Sequence, residues 1–168
     1  FRLGVKGEDK WGNPSDQVSG RFWLRTTMPV VGLPDYIDID AGTSAYCIDH
    51  LSCAQPGLVS IQLCSSSGEI LAQAAPLIIS ETAPRVGYWG DLHGQSEETI
   101  GTNSARDLIE FARDRAFVEV MSHQGNDFQI TLPFWHELNR LTAEFNEDGR
   151  FIIFPGYEWS GNTGLGGD

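Results

Sequence analysis

Polar side chains with the chemistry of metal ligands stand at three places in the second half of the chain. The segment 91–95 carries Asp91, His93 and Gln95, which offer a carboxylate, an imidazole and an amide oxygen. His123 and Glu158 each follow a separate apolar run. Mixed nitrogen and oxygen donors suit divalent transition metals. We therefore expect a site for Zn²⁺ or Mn²⁺, with Fe²⁺ as a further option, in which these five residues are the candidate ligands.

A simpler interpretation of the same residues stays open. His93 and His123 could be loop histidines that form ordinary hydrogen bonds. Glu158 could then be the partner of a nearby arginine such as Arg106 or Arg150. The two interpretations differ in what neutralises the carboxylates, because like charges in a cleft raise one another's pKa unless something positive lies among them.

The elements that must position these residues alternate between strand and helix. Apolar runs at 86–92, 117–121 and 151–154 predict three strands. Ser104 and Thr131 are expected to open helices with apolar stripes at helical spacing. The order β-α-β-α-β predicts a parallel sheet or barrel, whose carboxyl-end loops build the site. If 91–95 stays extended, residues 91, 93 and 95 point to one side.

The first half has a different pattern. Short β-type runs at 21–27, 36–40, 58–63 and 70–79 are separated by turn residues, which is typical of an antiparallel β-sandwich. Alternation places Asp38 and Asp40 on one face, where a solvated surface is favoured over a calcium site. We therefore divide the chain into a β-sandwich-like accessory domain, 1–83, and an α/β domain, 84–168, that forms the N-terminal part of a barrel.

Composition argues against several classes of partner. The 168 residues carry a net charge of −12, which disfavours nucleic acid and anionic membrane surfaces. No apolar run approaches the roughly 20 residues of a membrane-spanning helix. Three cysteines without metal-site spacing are expected to be free thiols in a reducing compartment, so a cytoplasmic location is favoured, with one disulfide as the alternative. Because the sequence lacks an initial Met and ends in a glycine-rich stretch, 161–167, that predicts a mobile loop, we expect a fragment of a longer protein.

The second half also resembles a known superfamily. The stretch 88–96, Tyr-Trp-Gly-Asp-Leu-His-Gly-Gln-Ser, is similar to the first motif of the PHP (polymerase and histidinol phosphatase) superfamily, Asp-Leu-His-x-His-Ser/Thr, with Gln95 in place of the second histidine. Ser122-His123 is similar to the Asp-His motif, and Gly156-Tyr157-Glu158 to the Gly-x-Glu motif. Within the superfamily the resemblance is closest to the domain of unknown function 3604 family.

The resemblance implies a metal-dependent hydrolase of a phosphate or sulfate ester on a distorted β/α barrel. The nucleophile would be a hydroxide on the metal, and Asp127 or His123 would handle the proton. The implied partner is a small anionic ester; the net charge and the lack of a long apolar run separately predict no nucleic acid and no membrane. The alternative is a β-sandwich binding or assembly module that carries a degenerate, inactive barrel.

Overall fold

The structure, a computed structural model, describes residues 1–82 and 85–161. It divides into two compact units, Phe1–Val86 and Gly87–Asp168, close to the boundary predicted after residue 83. The predicted glycine-rich loop, 161–167, lies beyond Gly161 outside the described residues.

The first unit consists of antiparallel β-structure. Its strands are β1 (Leu3–Lys6), β2 (Gly20–Thr26), β3 (Tyr36–Ile39), β4 (Ala45–Ile48), β5 (Gly57–Val59), β6 (Ile61–Cys64), β7 (Ile70–Gln73) and β8 (Leu77–Ile79). They form a four-stranded sheet in the order β3-β2-β6-β7 and two pairs, β1-β4 and β5-β8. All of these pairings are antiparallel, as predicted. That the sheets stack as a sandwich stays a prediction.

Buried and exposed side chains alternate along β3, so one face of this strand contributes to the core of the first unit. Ile37 and Ile39 are buried, whereas Asp38 is exposed and receives two hydrogen bonds of 2.8 Å from Arg21 on β2. Both oxygens of Asp38 therefore face a guanidinium group, which agrees with the expected solvated face. The three cysteines of this unit form no disulfide bond.

The second unit combines parallel strands with two helices. Its elements are β9 (Gly90–Gly94), α1 (Ala105–Asp114), β10 (Val120–His123), β11 (Gly125–Asn126), a 3₁₀ helix (Asp127–Gln129), α2 (Leu132–Phe145), β12 (Ile152–Phe154) and β13 (Tyr157–Glu158). Strands β9, β10 and β12 form a parallel sheet with β10 in the centre, and β11 pairs in parallel with β13. The predicted β-α-β-α-β order is confirmed.

Both helices begin where their capping residues predict. The Ser104 hydroxyl accepts a hydrogen bond from the Asp107 backbone N–H at 3.1 Å, and Thr131 accepts one from the Phe134 N–H at 3.3 Å. Apolar positions at helical spacing then face the sheet. The resulting core contains Ala105, Ile109, Ala112, Met121, Phe134, Leu138, Leu141, Phe145, Phe151 and Ile153.

The chain is thus a mixed α/β protein in which strands predominate. The three-stranded parallel sheet is open, and no sheet closes into a barrel within 1–82 and 85–161. Over the same residues, no helix has the length and apolar character needed to cross a membrane.

Candidate functional site

The carboxyl ends of the parallel strands carry the candidate residues, and a bulge in β9 sets their directions. Met121 on β10 pairs with Asp91, but His123 pairs with Gly94, so β9 holds one extra residue between these pairs. Such a bulge re-aims side chains and interrupts the alternation of a strand. The condition on which residues 91, 93 and 95 were expected to form one row, a regularly extended segment, is therefore not met.

His93 and Glu158 come together from two different strands. The imidazole Nε2 of His93 lies 3.4 Å from Glu158 Oε2, although 65 residues separate them in the sequence. Both side chains are largely exposed, at 69% and 49%. Exposed pairs of this kind add little to the free energy of unfolding. The contact is therefore of interest as a candidate ligand pair and not as a source of stability.

The arginines of the simpler interpretation have other partners. Arg106 forms a pair of hydrogen bonds with Glu144, at 2.8 and 2.7 Å. Arg150 pairs with Glu147 at 3.1 Å and lies 3.9 Å from Asp114. The structure places the His93 ring, and neither of these arginines, beside the Glu158 carboxylate.

Asp91 faces its own strand. Its Oδ1 accepts a hydrogen bond of 2.9 Å from the backbone N–H of His93, two residues further on. This is a short-range hydrogen bond from the backbone to a side chain within β9. The Asp91 carboxylate is thus held against the backbone of His93.

Gln95 lies between a loop and β11. Its Oε1 accepts a hydrogen bond of 3.2 Å from the Thr99 hydroxyl, and its Nε2 donates one of 3.4 Å to Asn126 Oδ1. Asn126 is the register partner of Glu158 in the β11-β13 pair. The amide of Gln95 thus links the loop after β9 to the strand beside Glu158.

His123 is buried, and both of its ring nitrogens are engaged. Only 1% of its surface is exposed. Nε2 lies 2.8 Å from the hydroxyl of the buried Ser96, and Nδ1 accepts a hydrogen bond of 3.2 Å from the Gly125 N–H. Burial lowers the pKa of the imidazole below its ordinary 6.5, while the charge of Glu98 raises it. Because Nδ1 accepts from Gly125, Nε2 is the nitrogen that carries the proton of the neutral ring.

Asp127 begins the 3₁₀ helix directly after Asn126. Its Oδ1 accepts a hydrogen bond of 2.8 Å from the Phe128 backbone N–H. Its side chain is half-buried, beside the strand that pairs with Glu158.

The structure therefore assembles part of the predicted site. It joins His93 to Glu158 and Gln95 to Asn126, whereas His123 is directed to Ser96. Over the described ranges, no three of His, Cys, Asp and Glu form a group that could hold a metal ion. Sequence reasoning missed Ser96 and Asn126. Closure of the loop after β9 brings Ser96 to His123, and the pairing of β11 with β13 places Asn126 beside the strand of Glu158.

Comparison with known proteins gives distant relatives. The chain is 28% identical over 116 residues to an uncharacterized protein of Chlamydia pneumoniae, a match covering 67% of this chain and 18% of that protein. It is 27% identical over 108 residues to uncharacterized proteins of Chlamydia muridarum and Chlamydia trachomatis, with 62% of this chain and 17% of each relative covered. The chain thus spans less than a fifth of the length of these relatives. No family model and no solved structure matches it.

Proposed function

We propose that the second unit is the beginning of a PHP-like β/α barrel, similar to the domain of unknown function 3604 family, in a metal-dependent hydrolase of phosphate or sulfate esters. The observation that carries the proposal is the approach of His93 Nε2 to Glu158 Oε2 at the ends of different strands. An imidazole and a carboxylate that meet at an exposed strand end are donors that Zn²⁺ and Mn²⁺ accept.

The separation of the two donor atoms fits one shared ion. Ligand atoms of a tetrahedral ion with bonds of about 2.0–2.1 Å lie about 3.4 Å apart. His93 Nε2 and Glu158 Oε2 are 3.4 Å apart. His93 and Glu158 would therefore hold the metal, and Asp91, which lies two residues before His93, is the next available carboxylate.

Each residue then has a distinct task in ester hydrolysis. The metal supplies Lewis acidity and activates water when bound. Asp127 takes up and returns the proton, since its second oxygen is not used by the Phe128 N–H. His123 is too deeply buried to touch a substrate, so it secures the strand end through Ser96 and Gly125.

A second candidate function is a β-rich binding or assembly module with an inactive barrel. It is favoured by the engagement of two motif positions in internal hydrogen bonds, Gln95 with Thr99 and His123 with Ser96. On this view His93 and Glu158 form an ordinary exposed pair without an ion.

Zinc binding and hydrolysis by matched variants distinguish the two functions. Titration calorimetry with Zn²⁺ should show one site, with affinity reduced at least about tenfold by His93→Gln or Glu158→Gln because each removes one ligand. The controls His136→Gln and Asp148→Asn make the corresponding changes, at an exposed histidine and an exposed carboxylate, and should retain the affinity. Aryl phosphate and aryl sulfate, assayed with Zn²⁺ or Mn²⁺, test the reaction. Absence of zinc binding by the unaltered chain, or equal affinity in all four variants, would contradict the proposal.

A further inference from the structure

Two hydrogen-bonded side-chain amides lead to β11, the strand that pairs with the strand of Glu158. Gln95 donates from Nε2 to Asn126 Oδ1, and its own oxygen accepts from Thr99. This arrangement, which we call the amide relay, runs from Thr99 through Gln95 to Asn126. Gln95 stands where the PHP motif has a histidine, and its oxygen accepts from Thr99 in the loop after β9.

The loop that begins the relay is tightly closed. Gly101 donates a backbone hydrogen bond of 2.8 Å to the Ser96 carbonyl oxygen, which also lies 3.0 Å from the Thr99 hydroxyl. A Cβ at Gly101 would collide with the backbone of Gln95 and lie 2.8 Å from Ser96 Cα. The close packing fixes the backbone of Gln95 and limits how its side chain can leave the loop.

The other end of the relay is directed toward the metal candidates. Asn126 and Glu158 are register partners in parallel strands, so their side chains emerge on the same face. Because Asn126 Oδ1 accepts from Gln95, the Nδ2 group on the same carbon points away from Gln95. The NH₂ of Asn126 is therefore a pair of donors on the face where Glu158 meets His93.

We propose that Asn126 binds the substrate by donating from Nδ2 to a non-bridging oxygen of the phosphate or sulfate group, and that Gln95 is the positioning residue that orients it. The inference rests on the proposed function, because the carboxylates of this net-acidic chain repel an anion unless a cation lies among them. A neutral amide adds a hydrogen bond to the anion without competing for the metal ligands.

The test uses the chain loaded with one equivalent of Zn²⁺, freed of excess metal, and inorganic phosphate as the probe. Asn126→Asp keeps the oxygen that accepts from Gln95 but removes the donors. We expect Zn²⁺ affinity to be retained or increased, and phosphate affinity to fall at least tenfold. Asn103→Asp makes the same change at an exposed position of this unit and should leave phosphate affinity unchanged.

Gln95→Leu tests the positioning role without altering charge. We expect the side-chain amide signals of Asn126 in ¹H–¹⁵N spectra to shift before phosphate is added, and phosphate affinity to fall at least about threefold. A purely structural role would change the melting temperature and leave these signals in place.

Each outcome supports or overturns the inference. If zinc and phosphate bind but Asn126→Asp behaves like Asn103→Asp, the inference is wrong and the proposed function stands. If the unaltered chain binds no zinc, the proposed function fails and takes the inference with it. If Asn126→Asp does not fold, the Asn126 side-chain signals of the zinc-loaded natural chain decide: they should shift as phosphate saturates, and unchanged signals at saturation would overturn the inference.

Discussion

At the scale of single residues, burial determines what each histidine can do. His93 is exposed and faces a carboxylate, so its ring nitrogen is available for a ligand. His123 is enclosed, and Ser96 and Gly125 occupy its two nitrogens. The motif pattern predicted both histidines as ligands. A sequence motif gives the residue types but not their burial, and burial is what distinguishes these two histidines.

The lowered pKa of the buried His123 predicts that the stability of the fold depends on pH. The pKa of its imidazole in the folded chain is below the ordinary 6.5 that it regains on unfolding. Above about pH 6.5 the residue is neutral in both states, so its contribution to stability is complete. As the pH falls below 6.5 and through the folded pKa, the unfolded chain binds a proton that the folded chain excludes, and that stability is lost.

The His123→Gln variant isolates this effect. Between about pH 8 and about pH 5, the free energy of unfolding of the natural chain should fall more steeply than that of the variant, by at most about 1.4 kcal/mol per pH unit. Denaturant titrations at each pH measure the difference. His136→Gln, at an exposed position, should keep the natural slope. Parallel curves for the natural chain and His123→Gln would contradict the assignment.

At the scale of elements, local signals predicted the second unit better than the first. The caps at Ser104 and Thr131 and the buried stripe of α2 are contained in short stretches of sequence, and both helices occur where expected. Strands β1 and β4 were missed because their pairing joins Leu3 to Ile48, with no local pattern to show it. The single strand predicted at 58–63 is two strands, β5 and β6, in different sheets.

The turn between β10 and β11 requires glycine because other groups closely surround it. A Cβ at Gly125 would collide with Thr99 Cγ2, and would lie 2.9 Å from His123 Cε1 and 3.1 Å from Ile130 Cδ1. Gly125→Ala should therefore destabilise the second unit by about 1–3 kcal/mol, the usual range for overpacking. Thermal melting checks this, with Gly87→Ala as the control, since no described atom lies within 4 Å of a Cβ there. Equal melting temperatures for the two variants would show that the turn is not tightly packed.

At the scale of the whole molecule, the candidate chemistry belongs to the second unit. Every residue assigned to the site lies between Asp91 and Glu158, and the first unit contributes antiparallel sheets with a solvated acidic face. The division into units was predictable from the change in pattern near residue 81. The pairing of β11 with β13 was not, because each strand is two residues long.

Zinc binding should therefore not depend on Asp38 and Asp40, the acidic residues of the segment 36–40 in the first unit. Asp38→Asn and Asp40→Asn should each leave Zn²⁺ affinity within about twofold of the natural chain, since Asp38 already accepts two hydrogen bonds from Arg21. Calorimetric titration of each variant measures this. A tenfold loss in a variant that still unfolds cooperatively would mean that the first unit contributes to the site.

The central claim is that His93 and Glu158 hold a metal ion, and the histidine ring nitrogens report on it most directly. In long-range ¹H–¹⁵N spectra recorded during a Zn²⁺ titration, we expect the Nε2 signal of His93 to move and saturate at one equivalent. His136, exposed on α2, should remain unchanged, and Glu158→Gln should weaken the response of His93. A His93 signal that stays in place through one equivalent of zinc, or that moves no more than the His136 signal, would contradict the claim.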